Sequence, residues 1–169
     1  MNAHTPPPHM PPPMHRRKFA DQRYFEDFRV GETFYIASRT QTDGLFAAFQ
    51  TVSGDNHPVH YDYEYCRSLG FPGLLAHAMH VLCTTAPGAG DLPHMVEDSL
   101  MGIVGMSAQF KAPVFSGDTT YPQLEVIELR PNRTTGVLVL RNTVHNQRGE
   151  LCMEGRIELL VRKRNPDPR

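Results

Sequence analysis

Three cysteines are the whole thiol content of this 169-residue chain, and Cys66, Cys83 and Cys152 stand too far apart to form a CxxC pair. That removes the short-spaced zinc and dithiol redox motifs, and leaves buried thiols in a reducing compartment as the expected use. A surplus of charge is also missing: 17 Lys and Arg stand against 18 Asp and Glu, a formal net charge of −1. Without a basic excess there is little to draw nucleic acid or an anionic membrane surface, so neither is expected as a partner. No apolar run approaches the roughly 20 residues that span a bilayer, and the first residues lack the apolar core of a signal peptide. A cytoplasmic protein is the expectation.

What is present divides unevenly. Residues 1–18 hold six prolines, three histidines (His4, His9, His15) and a basic close at Arg16, Arg17 and Lys18, with almost nothing to bury. They read as a disordered, partly polyproline tail. From Phe19 the composition is that of a folded domain, expected to run to residue 164 and to leave 165–169 as a flexible end. With 40 % apolar residues overall, one domain can bury an ordinary core. No internal repeat is evident.

Within that domain the hydrophobic period changes along the chain. A strand is expected at Thr33–Arg39. Leu45, Phe46, Ala48, Phe49 and Val52 then recur at helical spacing, with Thr42 or Asp43 as cap, and predict a helix ending near Gly54. Asp62 stands where an N-cap would, ahead of a short helix that stops at Gly70. The stretch Leu74–Ala86 is apolar nearly all round and predicts a buried helix. Four stretches rich in Val, Ile, Leu and Thr come next, at Ser99–Lys111, Thr119–Arg130, Thr134–His145 and Glu150–Lys163, separated by turn residues. They predict an antiparallel meander, and the whole an α+β domain whose sheet wraps one central helix.

Chemistry points to SGDNHPVHYD, residues 53–62. Gly54 lets the chain leave the preceding helix and Pro58 stiffens the residues after it, so the segment reads as a fixed loop. Such a loop holds Asp55 and His60 in register. A carboxylate and an imidazole on one water can take a proton from it and return one elsewhere, as adding water to a double bond requires. Taken alone, such a pair is as readily a turn cap and a backbone-bonded histidine. His57 and His60, like His77 and His80, are three apart, which raises a metal site; helix histidines beside a polar pocket are more often structural, and no metal is expected. Met79, Met101, Met106 and Met153 are expected to fill core, and Arg162, Lys163 and Arg164 to form a solvated charged end.

Five segments in order carry a family resemblance: FEDFRVGE at 25–32, SGDNHPVHYD at 53–62, LLAHAMHV at 74–81, FKAPVFSGDT at 110–119 and NQRGELCMEG at 146–155. The chain resembles the MaoC-like dehydratases, also called (R)-specific enoyl-CoA hydratases, which have the hotdog fold. The resemblance implies reversible hydration of a trans-2-enoyl thioester to a 3-hydroxyacyl thioester, carried on coenzyme A or acyl carrier protein, without a further cofactor. It places Asp55 and His60 on the family's catalytic pair, with Gly54 before them. It also implies a homodimer.

Three departures from the family pattern stand out. The central helix of the family opens His-Gly-Met, with the Gly N–H aimed at the thioester oxygen; here the residues are His77, Ala78 and Met79. Ala keeps the N–H, while its methyl group and its aversion to positive φ bear on how closely a ligand approaches. In the loop, Asn56 comes one position early and His57 fills the usual Asn place before Pro58, so His57 is expected to support the loop by a hydrogen bond. Ala86 stands where some members carry a Ser, with Thr84 or Thr85 as substitutes. Two other readings remain at this point: a non-catalytic acyl-thioester-binding hotdog subunit, and a hotdog thioesterase, although the hydrolases of this fold lack the Asp, Pro, His loop.

Overall fold

The computed structural model describes residues 18–166. The expected tail up to Arg17, and residues 167–169, lie outside the described residues. Three long strands dominate: β4 (Thr119–Pro131), β5 (Thr135–Asn146) and β6 (Leu151–Arg162), which succeed one another as antiparallel neighbours. β1 (Thr33–Tyr35) and the short β2 (Arg39–Thr40) both pair with β4, and β3 (Leu100–Phe110) pairs with the far side of β6. The order is therefore β1-β4-β5-β6-β3, antiparallel throughout.

That order corrects the expected four-strand meander. β3 is not a neighbour of β4; it lies three places away, at an edge. The cause is the connection 111–118, which does not close a hairpin but pairs with the segment before the central helix. Ala76 N–H donates to Val114 at 2.8 Å, Ser116 N–H donates to Leu74 at 2.9 Å, and Leu75 bridges Phe115.

The helices sit on one another and on this sheet. α1 (Asp43–Ser53) starts where predicted, with Thr42 Oγ1 accepting from Leu45 N–H, and ends at Gly54. Gly54 has φ 73°, a left-handed cap that costs glycine little. Pro58–His60 forms one 3-10 turn, and α2 (Tyr63–Ser68) is capped by Asp62, whose Oδ1 accepts from Tyr65 N–H.

The central helix differs from expectation. α3 is only Ala78–Cys83, because residues 74–76 are committed to backbone pairing with residues 114–116 and His77 is still extended as the N-cap. Its outer face, Ala78, Met79 and Cys83, is exposed rather than buried. Its inner face supplies Val81 and Leu82 to a cluster that includes Phe46, Val59, Val144, Cys152 and Met153. Each such side chain removed from water contributes roughly 1.5–3 kcal/mol. A second cluster joins Phe25, Phe28 and Phe34 to Leu124, Leu140, Ile157 and Leu159 on the sheet, together with Leu92 at the start of α4 (Leu92–Met95).

Two smaller expectations also change. Met153 is fully buried, but Met79, Met101 and Met106 are half-exposed or more, because they lie on the outer face of α3 and on the edge strand β3. Arg164 is not simply solvated: its guanidinium donates to Asp27 at 2.7 Å and lies over the Tyr24 ring, tying the end of β6 to the 3-10 turn Phe25–Asp27.

Candidate active site

Asp55 leaves α1 immediately after the Gly54 cap, and the loop that carries it is held by its own side chains. Asn56 Oδ1 accepts from Gln50 at 2.7 Å and its amide donates to the Gly54 carbonyl at 3.2 Å. His57 Nδ1 accepts from Val59 N–H at 3.3 Å, capping the turn that Pro58 begins. His57 thus supports the loop through a hydrogen bond. Asp55 Oδ1 accepts from His57 N–H at 3.4 Å, which turns the other carboxylate oxygen toward His60.

His60 Nδ1 lies 2.6 Å from the Leu75 carbonyl. A carbonyl only accepts, so Nδ1 carries the proton, and in neutral His60 the Nε2 lone pair is free. Nε2 faces Asp55 Oδ2 across 3.7 Å. Two acceptors at that separation do not bond to each other directly, but they are complementary to the two O–H groups of one water. Leu75 is a position of the candidate site that sequence reasoning missed, since a backbone carbonyl leaves no signature in residue type.

His77 sits behind the pair. It is 1 % exposed, its ring stacks on His60 at 3.6 Å, and its Nε2–H donates to the Asp55 carbonyl at 3.2 Å. Its Nδ1 is buried without a partner, and burial holds the imidazole below its ordinary value of 6.5. His80 is held low by burial as well; its Nε2 donates to Gln41, whose amide donates onward to Thr120. Phe46 and Phe49 each pack against both rings. Asp55, His60 and His77 bring donor atoms within 4.8 Å of one another. The His60 and His77 planes are 20° apart, so their in-plane lone pairs run side by side rather than converging as ligands of one ion would.

Ala78 opens α3, where the first N–H groups have no partner within the helix. Among the described residues no non-glycine has positive φ, so Ala replaces the family Gly without backbone strain. Ala78 also lines a groove of about 310 Å³ with Leu75, Val81, Phe110, Lys111 and Pro113. The expected stand-ins for the absent Ser point elsewhere: Thr84 donates to Val81, and buried Thr85 donates to Leu82 while accepting from Asn142 at 2.9 Å.

Comparison with known proteins agrees with this architecture. The profile of the MaoC like domain matches residues 27–147. A β-methylmalyl-CoA dehydratase of Chloroflexus aurantiacus is 29 % identical over 85 % of this chain, which spans 41 % of that protein's length. An (R)-specific enoyl-CoA hydratase of Rhodospirillum rubrum is 28 % identical over 82 % of this chain and 91 % of its own. Among solved structures, the monoamine oxidase regulatory protein of Archaeoglobus fulgidus superposes with a TM-score of 0.76 at 30 % identity, over 86 % of this chain and 98 % of that one. The fold is the hotdog fold.

Proposed function

The chain belongs to the MaoC-like domain family, and from that premise we propose that it adds water to a trans-2-enoyl thioester and removes it from the 3-hydroxyacyl product. The facing acceptors Asp55 Oδ2 and His60 Nε2 carry this reading. A water donating to both presents its oxygen to C3 of the substrate, and the pair removes a proton as the C–O bond forms. Which member holds the proton at each stage is a property of the coupled pair. C2 then takes up a proton, so that the elements of one water are added and nothing is oxidised or reduced.

As C3 is attacked, the thioester oxygen gains negative charge. The Ala78 N–H at the head of α3 is the donor for it, and the apolar groove beside Ala78 takes the thioester arm. His77 positions both members of the pair through its ring stack and its bond to the Asp55 carbonyl. No metal is needed for these steps. The names of the relatives support coenzyme A or acyl-carrier-protein thioesters as the substrate class.

The protein acts as a homodimer. β3 is an edge strand whose Met101, Ile103, Val104 and Met106 are each at least 50 % exposed, and an unpaired apolar edge is suited to a second copy. Incubation with crotonyl-CoA tests the activity: loss of enoyl absorbance is the expected result. Release of free thiol instead indicates hydrolysis, and no change indicates binding without catalysis.

A further inference from the structure

His57 lies on the loop between Asp55 and His60 and is bonded toward both. Its N–H donates to Asp55 Oδ1 at 3.4 Å, its carbonyl accepts from His60 N–H at 3.1 Å, and its Nδ1 accepts from Val59 N–H at 3.3 Å. The first two are made by backbone groups that any residue but proline supplies. The third belongs to the side chain, and it caps the turn Pro58–His60 at its N-terminal end. Val59 is 8 % exposed, so its N–H finds little water if the ring leaves it. The other side of Val59 is held independently, since its carbonyl accepts from Leu75 N–H at 3.0 Å and from the Cys66 thiol at 3.2 Å. The His57 ring is therefore the one releasable fastening of the turn that carries His60.

That fastening works in a single protonation state. A ring nitrogen accepts through its lone pair, so the neutral ring keeps its proton on Nε2 and leaves Nδ1 bare. A second proton fills Nδ1, and an imidazolium has two donors and no acceptor. Set against Val59 N–H it presents a donor to a donor, and the cap opens. Histidine is the side chain that changes charge across the range of pH met in cells. His57 is exposed, so a proton reaches it without the loop unfolding. Among the described residues, the titratable groups around it are Asp55, whose carboxylate accepts from the His57 N–H, His60 at 6.3 Å between ring centroids, and the Tyr65 ring of α2 at 5.8 Å. The Nδ1 bond to Val59 involves none of them.

We infer that His57 is a positioning residue whose cap holds Asp55 and His60 in register only while its ring is neutral, so that hydration slows as the surroundings turn acidic. The inference rests on the hydratase reading and adds a control to the same site.

The test is the pH dependence of kcat/KM for crotonyl-CoA in the native protein, His57→Asn and His57→Ala, from about pH 8 down to about pH 5.5 and well below the melting temperature of each. Asn at an N-cap accepts through an amide oxygen that does not titrate, whereas Ala offers no acceptor. The comparison isolates position 57, because His60, His77 and His80 are common to all three proteins. At the upper end of the range the native protein should match His57→Asn, with His57→Ala about 2- to 30-fold slower, the usual worth of an N-cap. At the lower end it should instead match His57→Ala and fall behind His57→Asn by the same factor. A constant ratio of native to His57→Asn across the range, or a native rate in His57→Ala at the upper end, overturns the inference and leaves the hydratase reading standing. No turnover by the native protein at any pH overturns both.

Discussion

At the residue scale, the site is a set of histidines given different duties by their hydrogen bonds. His60 has Nδ1 fixed on a carbonyl and Nε2 turned to Asp55; His77 spends Nε2–H on the Asp55 carbonyl; His80 spends its own on Gln41. The last two are neutral through burial, with folded pKa values below the 6.5 of an ordinary histidine. Between those lowered values and 6.5 the unfolded chain binds more protons than the folded one, so folding stability rises with pH there. The two histidines therefore cost nothing above pH 6.5 and destabilise the fold as pH falls through that window. Thermal melts should be level from about pH 7 to 8 and drop from about pH 6.5 downward, and His80→Gln should flatten the first part of the drop. A melting temperature unchanged down to pH 5 would contradict neutral burial. A further loss belongs to lower pH, where Glu32, bonded by Arg23, and Asp27, bonded by the Tyr24 N–H and Arg164, are protonated only below the ordinary carboxylate range.

At the element scale, the Gly54 cap decides where Asp55 begins. Gly54→Ala forces a methyl-bearing residue to hold φ 73°, at a cost of about 1–2 kcal/mol. For a chain of this size that is a fall of several degrees in melting temperature. Because the next residue is Asp55, hydration of crotonyl-CoA should fall about tenfold or more. Unchanged melting and unchanged rate together would show that the cap does not set the loop. The same elements show what was legible beforehand. α1, the Asp62 cap and β4 to β6 follow from local period and turn residues, so residue spacing was enough. The extent of α3 was not legible, because an unbroken apolar run such as 74–86 fits either a helix or a strand buried on both sides. The place of β3 was not legible either, since the pairing of 111–118 with 74–76 is a contact between distant segments.

For the whole molecule, the hotdog sheet leaves one long strand edge and the outer face of α3 uncovered. β3 carries large apolar side chains on both of its faces, which is unusual for an edge that meets only water. Light scattering after size exclusion should give a mass of at least twice 19.1 kDa, and Ile103→Glu should shift it toward one copy. A native monomer at micromolar concentration would remove the second copy from the account.

All of this depends on Asp55 and His60 acting together on one water. The most direct measurement is the initial rate of crotonyl-CoA hydration by the native protein, Asp55→Asn, His60→Gln and the double variant. Each single change should lower kcat by a factor on the order of hundreds or more, and the double variant should be little worse than the poorer single one, because a pair that works as a unit is lost at the first change. Losses that multiply in the double variant, or near-native turnover in either single one, would show that the two residues do not share the water.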